Sequence, residues 1–412
     1  MKAKLSRLLE SLLPGLFLVG LTVGTGSVTS MVKAGADHGT MLLWALLFSC
    51  VVSYILFDSF GRLTIYSGKT ALNAIRTHIH PGVALSLLIA LTINVSASII
   101  GVMGILAGVL SEWSLSWDSF HVTPLIWALL LSAVIFVVLL NGTVKALQVL
   151  LATLAGVMGI CFIVNAATML PPIDEILGGL VPHIPQGTSS SGVRSGYLVA
   201  ASMVGTTVAP IVLMMRSILV HEQGWTPNDH GIQKRDAMIS NVAVFIISAS
   251  IMVSAAGSLH QNGTGLENVR EMIPLLEPIA GGLAILIFVF GVTAAGLSSQ
   301  FPNVISVPWL LHDYRGEPAR IVGHSDKLII LGLCLVGLFV PIFHTRPVWI
   351  MLASQVLGAI VLPTTIVCLV YLLNKKEVMG EQTNGVAENI VLAFVVVFSF
   401  AMAGVGVFGL FS

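Results

Sequence analysis

Charge is what this sequence has least of. Only 9% of its 412 residues are Asp, Glu, Lys or Arg, against 56% that are hydrophobic. Soluble domains carry about 25% charged residues. A water-soluble fold of this length needs far more polar surface, so soluble enzymes, nucleic-acid binders and disordered scaffolds are excluded. Cysteine is scarce as well. The four present, Cys50, Cys161, Cys334 and Cys368, sit in apolar stretches, and no pair has metal-finger or redox spacing. They read as small buried hydrophobes. The formal net charge is zero, which points to no charged partner. Mid-span ionisable groups are missing too: the nineteen acidic residues and eleven histidines fall at span ends or in loops. An intramembrane enzyme needs a nucleophile with its base, or a metal motif. Neither is in place, so no enzyme and no cofactor is expected.

Long apolar runs are what the sequence has. Runs of about 20 residues suffice to cross a bilayer. Eleven are expected, near 12–32, 40–57, 82–110, 121–140, 146–170, 196–220, 237–259, 278–311, 328–343, 348–373 and 389–411. The eighth is long enough to tilt or bend. The first runs past Lys33-Ala34-Gly35 into a second hydrophobic segment, so it reads as a span and not as a cleaved leader. The expectation is an all-α integral membrane protein with one transmembrane domain over 1–412, in contact with the lipid bilayer. Of the nineteen basic residues, Lys33, Arg194, Arg270 and Arg346 fall in one set of loops and Arg216 within a span. The other fourteen fall on the opposite side. Basic residues favour the cytoplasmic side, so the N-terminus is expected inside and the C-terminus outside.

Two spans carry the wrong residues for a continuous helix. The first reads Thr22-Val23-Gly24-Thr25-Gly26-Ser27-Val28-Thr29. The sixth reads Gly205-Thr206-Thr207-Val208-Ala209-Pro210. Proline removes a backbone donor and clashes with the preceding turn. The freed amides and carbonyls need partners, so each break belongs beside a cavity and not against lipid. The breaks lie five spans apart. An odd number of spans per repeat inverts the second copy, the pattern of transporters that hold substrate between two discontinuous helices. The repeats are expected near 11–171 and 196–373, with helix 389–411 added. Taken singly, each break also fits close packing or a simple kink.

Three segments resemble a known family. Ser354-Gln355-Val356-Leu357-Gly358-Ala359-Ile360-Val361-Leu362-Pro363, running to Asn374-Lys375-Lys376-Glu377-Val378-Met379-Gly380-Glu381, is similar to helix ten of the NRAMP divalent-metal transporters and the loop after it. Ala34-Gly35-Ala36-Asp37-His38-Gly39, with Leu42-Leu43-Trp44, resembles the family's segment between helices one and two. Ala294-Ala295-Gly296-Leu297-Ser298-Ser299 resembles its helix eight. The resemblance implies a diverged member with the five-plus-five inverted repeat of the APC superfamily, in a bacterial inner membrane. It also implies transport of a divalent cation by alternating access. The family reads Asp-Pro-Gly-Asn in helix one and Met-Pro-His in helix six. This chain has Gly24-Thr25-Gly26-Ser27 and Ala209-Pro210-Ile211 there, and keeps Gln355 in helix ten.

The expected substrate-binding positions are therefore Gly24, Thr25, Gly26, Ser27, Thr206, Thr207, Ala209 and Gln355, which also serve if the substrate is a metal ion. Three substrates stay open. A hard cation such as Mg²⁺ dehydrates reluctantly, and hydroxyls, amides and free carbonyls suit its water shell. Freed amides at a half-helix N-terminus suit a small anion or amino acid-like solute. A relative that transports nothing is the third. A channel needs a filter or an open pore, which paired breaks fit less well than alternating access. Arg216 reads as an inner gate or as a snorkelling side chain near a span end. Asp58, one helical turn before Arg62, reads as its ion-pair partner or as part of that gate. Asn94, Ser96 and Ser98 read as helix-packing hydrogen bonders. Trp113, Trp117 and Trp349 read as interfacial anchors.

Overall fold

The computed structural model describes residues 13–114, 122–141, 144–168, 170–183, 193–260, 284–320 and 323–411. Trp117, Arg270 and the start of the eighth expected span lie outside them. Among the described residues there is no β-strand, and seven helices are long and apolar enough to cross a membrane. The chain is an integral membrane protein built of helices.

The first expected span is two helices, α1 (Leu13–Thr22) and α2 (Thr25–His38). α3 (Leu43–Ser67) runs ten residues beyond the expected end at 57, because Asp58 and Arg62 project from a helix that continues past the apolar zone. A short amphipathic helix, α4 (Ala71–His78), leads into α5 (Pro81–Ser114). Then come α6 (Pro124–Leu140), α7 (Val144–Thr168) and the short α8 (Ile173–Gly178). The sixth expected span is again two helices, α9 (Val193–Thr207) and α10 (Pro210–Glu222). α11 (His230–Ala255) starts about two turns before the expected boundary. α12 (Ala284–Arg315) contains Pro302 and Pro308. α13 (His324–Val336) and α14 (Phe339–Phe343) share the ninth span. α15 (Pro347–Leu373), the single-turn α16 (Lys376–Met379) and α17 (Val386–Phe411) complete the chain.

Burial follows sequence pattern. α10 is almost wholly buried from Pro210 to Ile218, as befits a helix at the centre of a bundle, with Arg216 and Ser217 as its buried polar side chains. α5 packs against both α12 and α15, and α11 against α2 and α3. Ile89 and Ile93 on α5, Leu130 on α6, and Val397 and Phe400 on α17 are exposed. In lipid such side chains are at no disadvantage. Trp349 is exposed at the start of α15, while the Trp113 ring meets Phe290 edge-on at 5.8 Å.

Helix ends gather on two faces. On one, the Trp44 amide and indole N–H donate to the Gly179 and His183 carbonyls, both at 2.8 Å, and the Thr40 hydroxyl donates to the Glu175 carbonyl. On the other, Arg62 pairs with Glu388 at 2.6 Å and not with Asp58. Lys375 Nζ donates to the His78 carbonyl. Arg76 donates to the Tyr314 carbonyl at 2.6 Å, and the Thr70 hydroxyl, at the start of α4, donates to Asp313. Burial pushes the Asp313 carboxyl up to about 6. A raised carboxyl pKa favours the protonated form in the fold, so its contribution is full at low pH and is lost as pH rises from about 4 through about 6. Asp313→Asn removes the titration and keeps a hydrogen-bonding amide. In detergent, the thermal midpoint of wild type is expected to fall relative to Asp313→Asn across that window; parallel pH profiles would count against the assignment.

Candidate functional site

The two breaks face each other. The last helical hydrogen bond of α1 closes on the Val19 carbonyl and that of α9 on the Val204 carbonyl. The carbonyls beyond them have no intrahelical donor. Gly24 and Ala209 precede α2 and α10 without a capping side chain; the Thr25, Gly26 and Ser27 amides of α2 have no intrahelical acceptor, while α10 opens on Pro210, which has no N–H, and leaves only the Ile211 amide so. Two helix C-termini and two helix N-termini thus meet at one small cavity of about 40 Å³. At about 10–15 Å³ of such space per molecule, this is room for roughly three waters.

Of the residues expected there, Gly24, Gly26, Ser27, Thr206, Ala209 and Gln355 line the cavity. Thr25 and Thr207 do not. Successive residues of a helix point about 100° apart, so a residue at a break can face away from the cavity that its neighbours line. Thr25 faces α12, where a Cβ on Gly296 would lie 2.7 Å from its hydroxyl. The Thr207 hydroxyl is buried without a hydrogen-bond partner.

Six lining residues with side chains suited to a ligand lie outside the expected set: Thr22, Asn94, Ser98, Ser299, Asn303 and Met351. With Gln355, they show a simple rule. Three helices each present a pair four residues apart: Asn94 and Ser98 from α5, Ser299 and Asn303 from α12, Met351 and Gln355 from α15. Residues at i and i+4 share a helix face. A polar pair at that spacing in an otherwise apolar run was the signal available. Asn94 also ties helices together, donating to the Ser354 carbonyl at 2.7 Å. Asn303 donates to Ser98 at 3.4 Å, and Ser27 meets Ser248 at 3.3 Å. Close approach requires the glycines. A Cβ on Gly26 would lie 2.5 Å from both Gln355 Nε2 and Met351 Cε, and one on Gly24 would lie 2.4 Å from Ser299 Cβ. No lining residue carries a charge.

The charges lie beyond α10's first turns. Arg216 does not snorkel: it is fully buried and ion-paired to Asp236 of α11. Arg216 also donates to the Gln233 carbonyl at 3.0 Å and lies over the rings of Phe57 and Trp225. Asp236 accepts the Gly15 amide at 3.0 Å, which brings in α1. Gln233 donates to the Phe57 carbonyl of α3. Asp58, expected beside Arg62, instead faces His230 Nε2 at 3.5 Å. The early start of α11 explains the missed partner, since it carries Asp236 into the helix instead of leaving it at a span end. The pair thus couples both N-terminal half-helix α1 and C-terminal half-helix α10 to the unbroken α3 and α11.

A family model described as "Natural resistance-associated macrophage protein-like" matches residues 15–409. A protein of Xylella fastidiosa named divalent metal cation transporter MntH is 25% identical over 91% of this chain and 79% of its own length. One of the same name from Ralstonia nicotianae is 25% identical over 90% of this chain and 84% of its own. Among solved structures, a manganese transporter of Eremococcus coleocola superposes with a TM-score of 0.74 at 16% identity, covering 100% of this chain and 87% of that one. MHP1, a nucleobase-cation-symport transporter, gives 0.62 at 16% identity, over 97% and 89%. At such identities the structures speak for the fold alone.

The geometry gives a direct test of the ion pair. Removing one partner of a buried pair leaves an uncompensated charge and costs about 3–5 kcal/mol, while an apolar pair of similar volume is near neutral. Arg216→Met is expected to be strongly destabilised in detergent thermal unfolding. Adding Asp236→Leu is expected to restore most of the loss. If the double variant is as unstable as the single, the pair is not what holds these helices.

Proposed function

The chain belongs to the Nramp family, whose members are secondary transporters and not enzymes, and from that membership we propose that it carries a divalent metal cation with altered selectivity. The curated relatives are named for divalent metal transport. The observation that carries the reading is the cavity between the two breaks, small and lined by neutral groups alone. Three waters' worth of space is too little for a whole hexahydrated ion and for an amino acid-like solute. It suits a cation that has shed part of its shell and replaced those waters with hydroxyl, amide and carbonyl oxygens.

Without a carboxylate at the cavity, selectivity rests on neutral oxygens and one thioether. Oxygen donors separate Mn²⁺ from Mg²⁺ less sharply than softer ligands do. The proposed carrier has one domain of eleven spans, arranged as two inverted repeats plus α17. It lies in a bacterial inner membrane with its N-terminus in the cytoplasm and its C-terminus outside. Gly24, Gly26, Ser27, Thr206, Ala209 and Gln355 hold the ion, while Arg216 and Asp236, with Asp58 nearby, close the inner side. One bundle of helices rocks against the rest around this site. The uncapped N-terminus of α2 favours a second reading, since free helix amides attract anions. On that reading a small carboxylate replaces the cation.

Uptake into proteoliposomes tests the choice. Saturable uptake of both Mn²⁺ and Mg²⁺ is expected, with rates within about tenfold of one another. Gly24→Asp alone is expected to disrupt packing, because Ser299 fills the space a side chain needs. Gly24→Asp with Ser299→Gly makes room for a carboxylate, a hard oxygen ligand, and is expected to tighten binding of Mn²⁺ and Mg²⁺ alike by about tenfold, or ~1.4 kcal/mol. Strong Mn²⁺ preference with proton influx in wild type would refute altered selectivity. Uptake of neither ion, with saturable uptake of a small carboxylate, would move the assignment to the second reading.

A further inference from the structure

A second cavity, of about 420 Å³, opens among the helix ends on the face that carries Trp44 and Gly179. His38, His183, His260 and Glu175 line it. Two of the imidazoles are held in a defined tautomer. His260 Nδ1 lies 2.9 Å from the Ala36 carbonyl and His183 Nδ1 lies 2.9 Å from the Val181 carbonyl. A carbonyl oxygen only accepts, so each Nδ1 donates, and in the neutral ring the lone pair is then on Nε2. Metal-binding histidines show this arrangement, with one ring nitrogen fixed by a carbonyl and the other free to ligate.

Position adds a second argument. His38 is the last residue of α2, and a Cβ on Gly39 would lie 3.5 Å from His260 Nε2, so that ring lies across the C-terminal end of α2. A helix C-terminus carries partial negative charge and favours a cation. The nearby Lys33 is balanced by Asp37 at 2.7 Å. Glu175 contributes a carboxylate. Among the described residues, no three His, Cys, Asp or Glu side chains are placed to hold an ion directly. An ion here binds one or two imidazoles and keeps the rest of its water, for which the cavity has ample space.

We propose that this vestibule is a capture site for a partly hydrated divalent transition-metal ion, bound through the Nε2 atoms of His260 and His183 with His38 and Glu175 beside them. Imidazole suits Zn²⁺, Ni²⁺, Cu²⁺ and Fe²⁺, while Mg²⁺ takes oxygen. The vestibule therefore supplies a preference that the neutral cavity lacks. Its place on a transport route rests on the carrier reading above; the binding site itself does not.

Equilibrium dialysis of the untagged full chain in detergent against Ni²⁺ tests the site without any flux. About one tightly held Ni²⁺ per chain is expected, not displaced by Mg²⁺. His260→Gln and His183→Gln keep an amide donor for the carbonyls, and each is expected to weaken binding about tenfold or more; the double variant is expected to lose it. Cu²⁺-loaded wild type is expected to show imidazole nitrogen hyperfine coupling by electron paramagnetic resonance. Absence of Ni²⁺ binding, full binding in the double variant, or a copper spectrum without nitrogen coupling would each overturn the proposal. A chain that binds Ni²⁺ in this way yet carries no ion into vesicles would keep the site and lose the carrier reading.

Discussion

Backbone polar groups in a bilayer have nowhere to go but to each other, and the rest of this structure follows from that constraint. A continuous helix satisfies them internally; a broken one leaves several carbonyls and amides exposed. The chain has two such breaks within its apolar bundle, after Thr22 and after Thr207, and turns both toward the same small cavity. Polar side chains from α5, α12 and α15 complete the lining. Breaks scattered against lipid would cost several kcal/mol for each unsatisfied group. Brought together, they make a polar interior that apolar helices alone cannot make.

The Arg216–Asp236 pair belongs to the same logic. Two full charges in a low-dielectric interior survive only as a pair with their remaining hydrogen bonds satisfied. Here the further hydrogen bonds come from α1, through the Gly15 amide, and from α11, through the Gln233 carbonyl, while α3 contributes the Phe57 ring beside the guanidinium. The pair therefore does more than neutralise itself: it fixes which half-helices sit together. A Cβ on Gly15 would lie 2.3 Å from the Asp236 carboxylate, so α1 reaches this position only because its residue there has no side chain.

Much of this was legible in the sequence, and what was not has a common cause. The helical membrane architecture follows from apolar runs, and both breaks follow from Gly24, Gly26, Ala209 and Pro210. Six of the eight expected site positions line the cavity. Thr25 and Thr207 fail because a residue's presence at a break does not say which way it points. Asn94, Ser98, Ser299, Asn303 and Met351 come from spans distant in sequence, so nothing local marked them except their four-residue spacing. Arg216 was misjudged for the same reason. Its surroundings in sequence suggested an interface within reach, whereas its partner is twenty residues away on another helix. Asp58 and Arg62 are a turn apart, yet each finds a tertiary partner instead.

The absence of charge from the cavity lining has an electrical meaning. A charge moved through the membrane field exchanges about 2.3 kcal/mol per elementary charge for every 100 mV. A carrier that alternated access around this cavity would reorient empty with no charge at its centre, and membrane voltage would have little hold on the return half of its cycle. Loaded with a divalent ion, the same centre bears two charges, and voltage acts on the loaded half alone. A resting potential would then drive the ion inward by itself, with no need for a second ion to supply the direction.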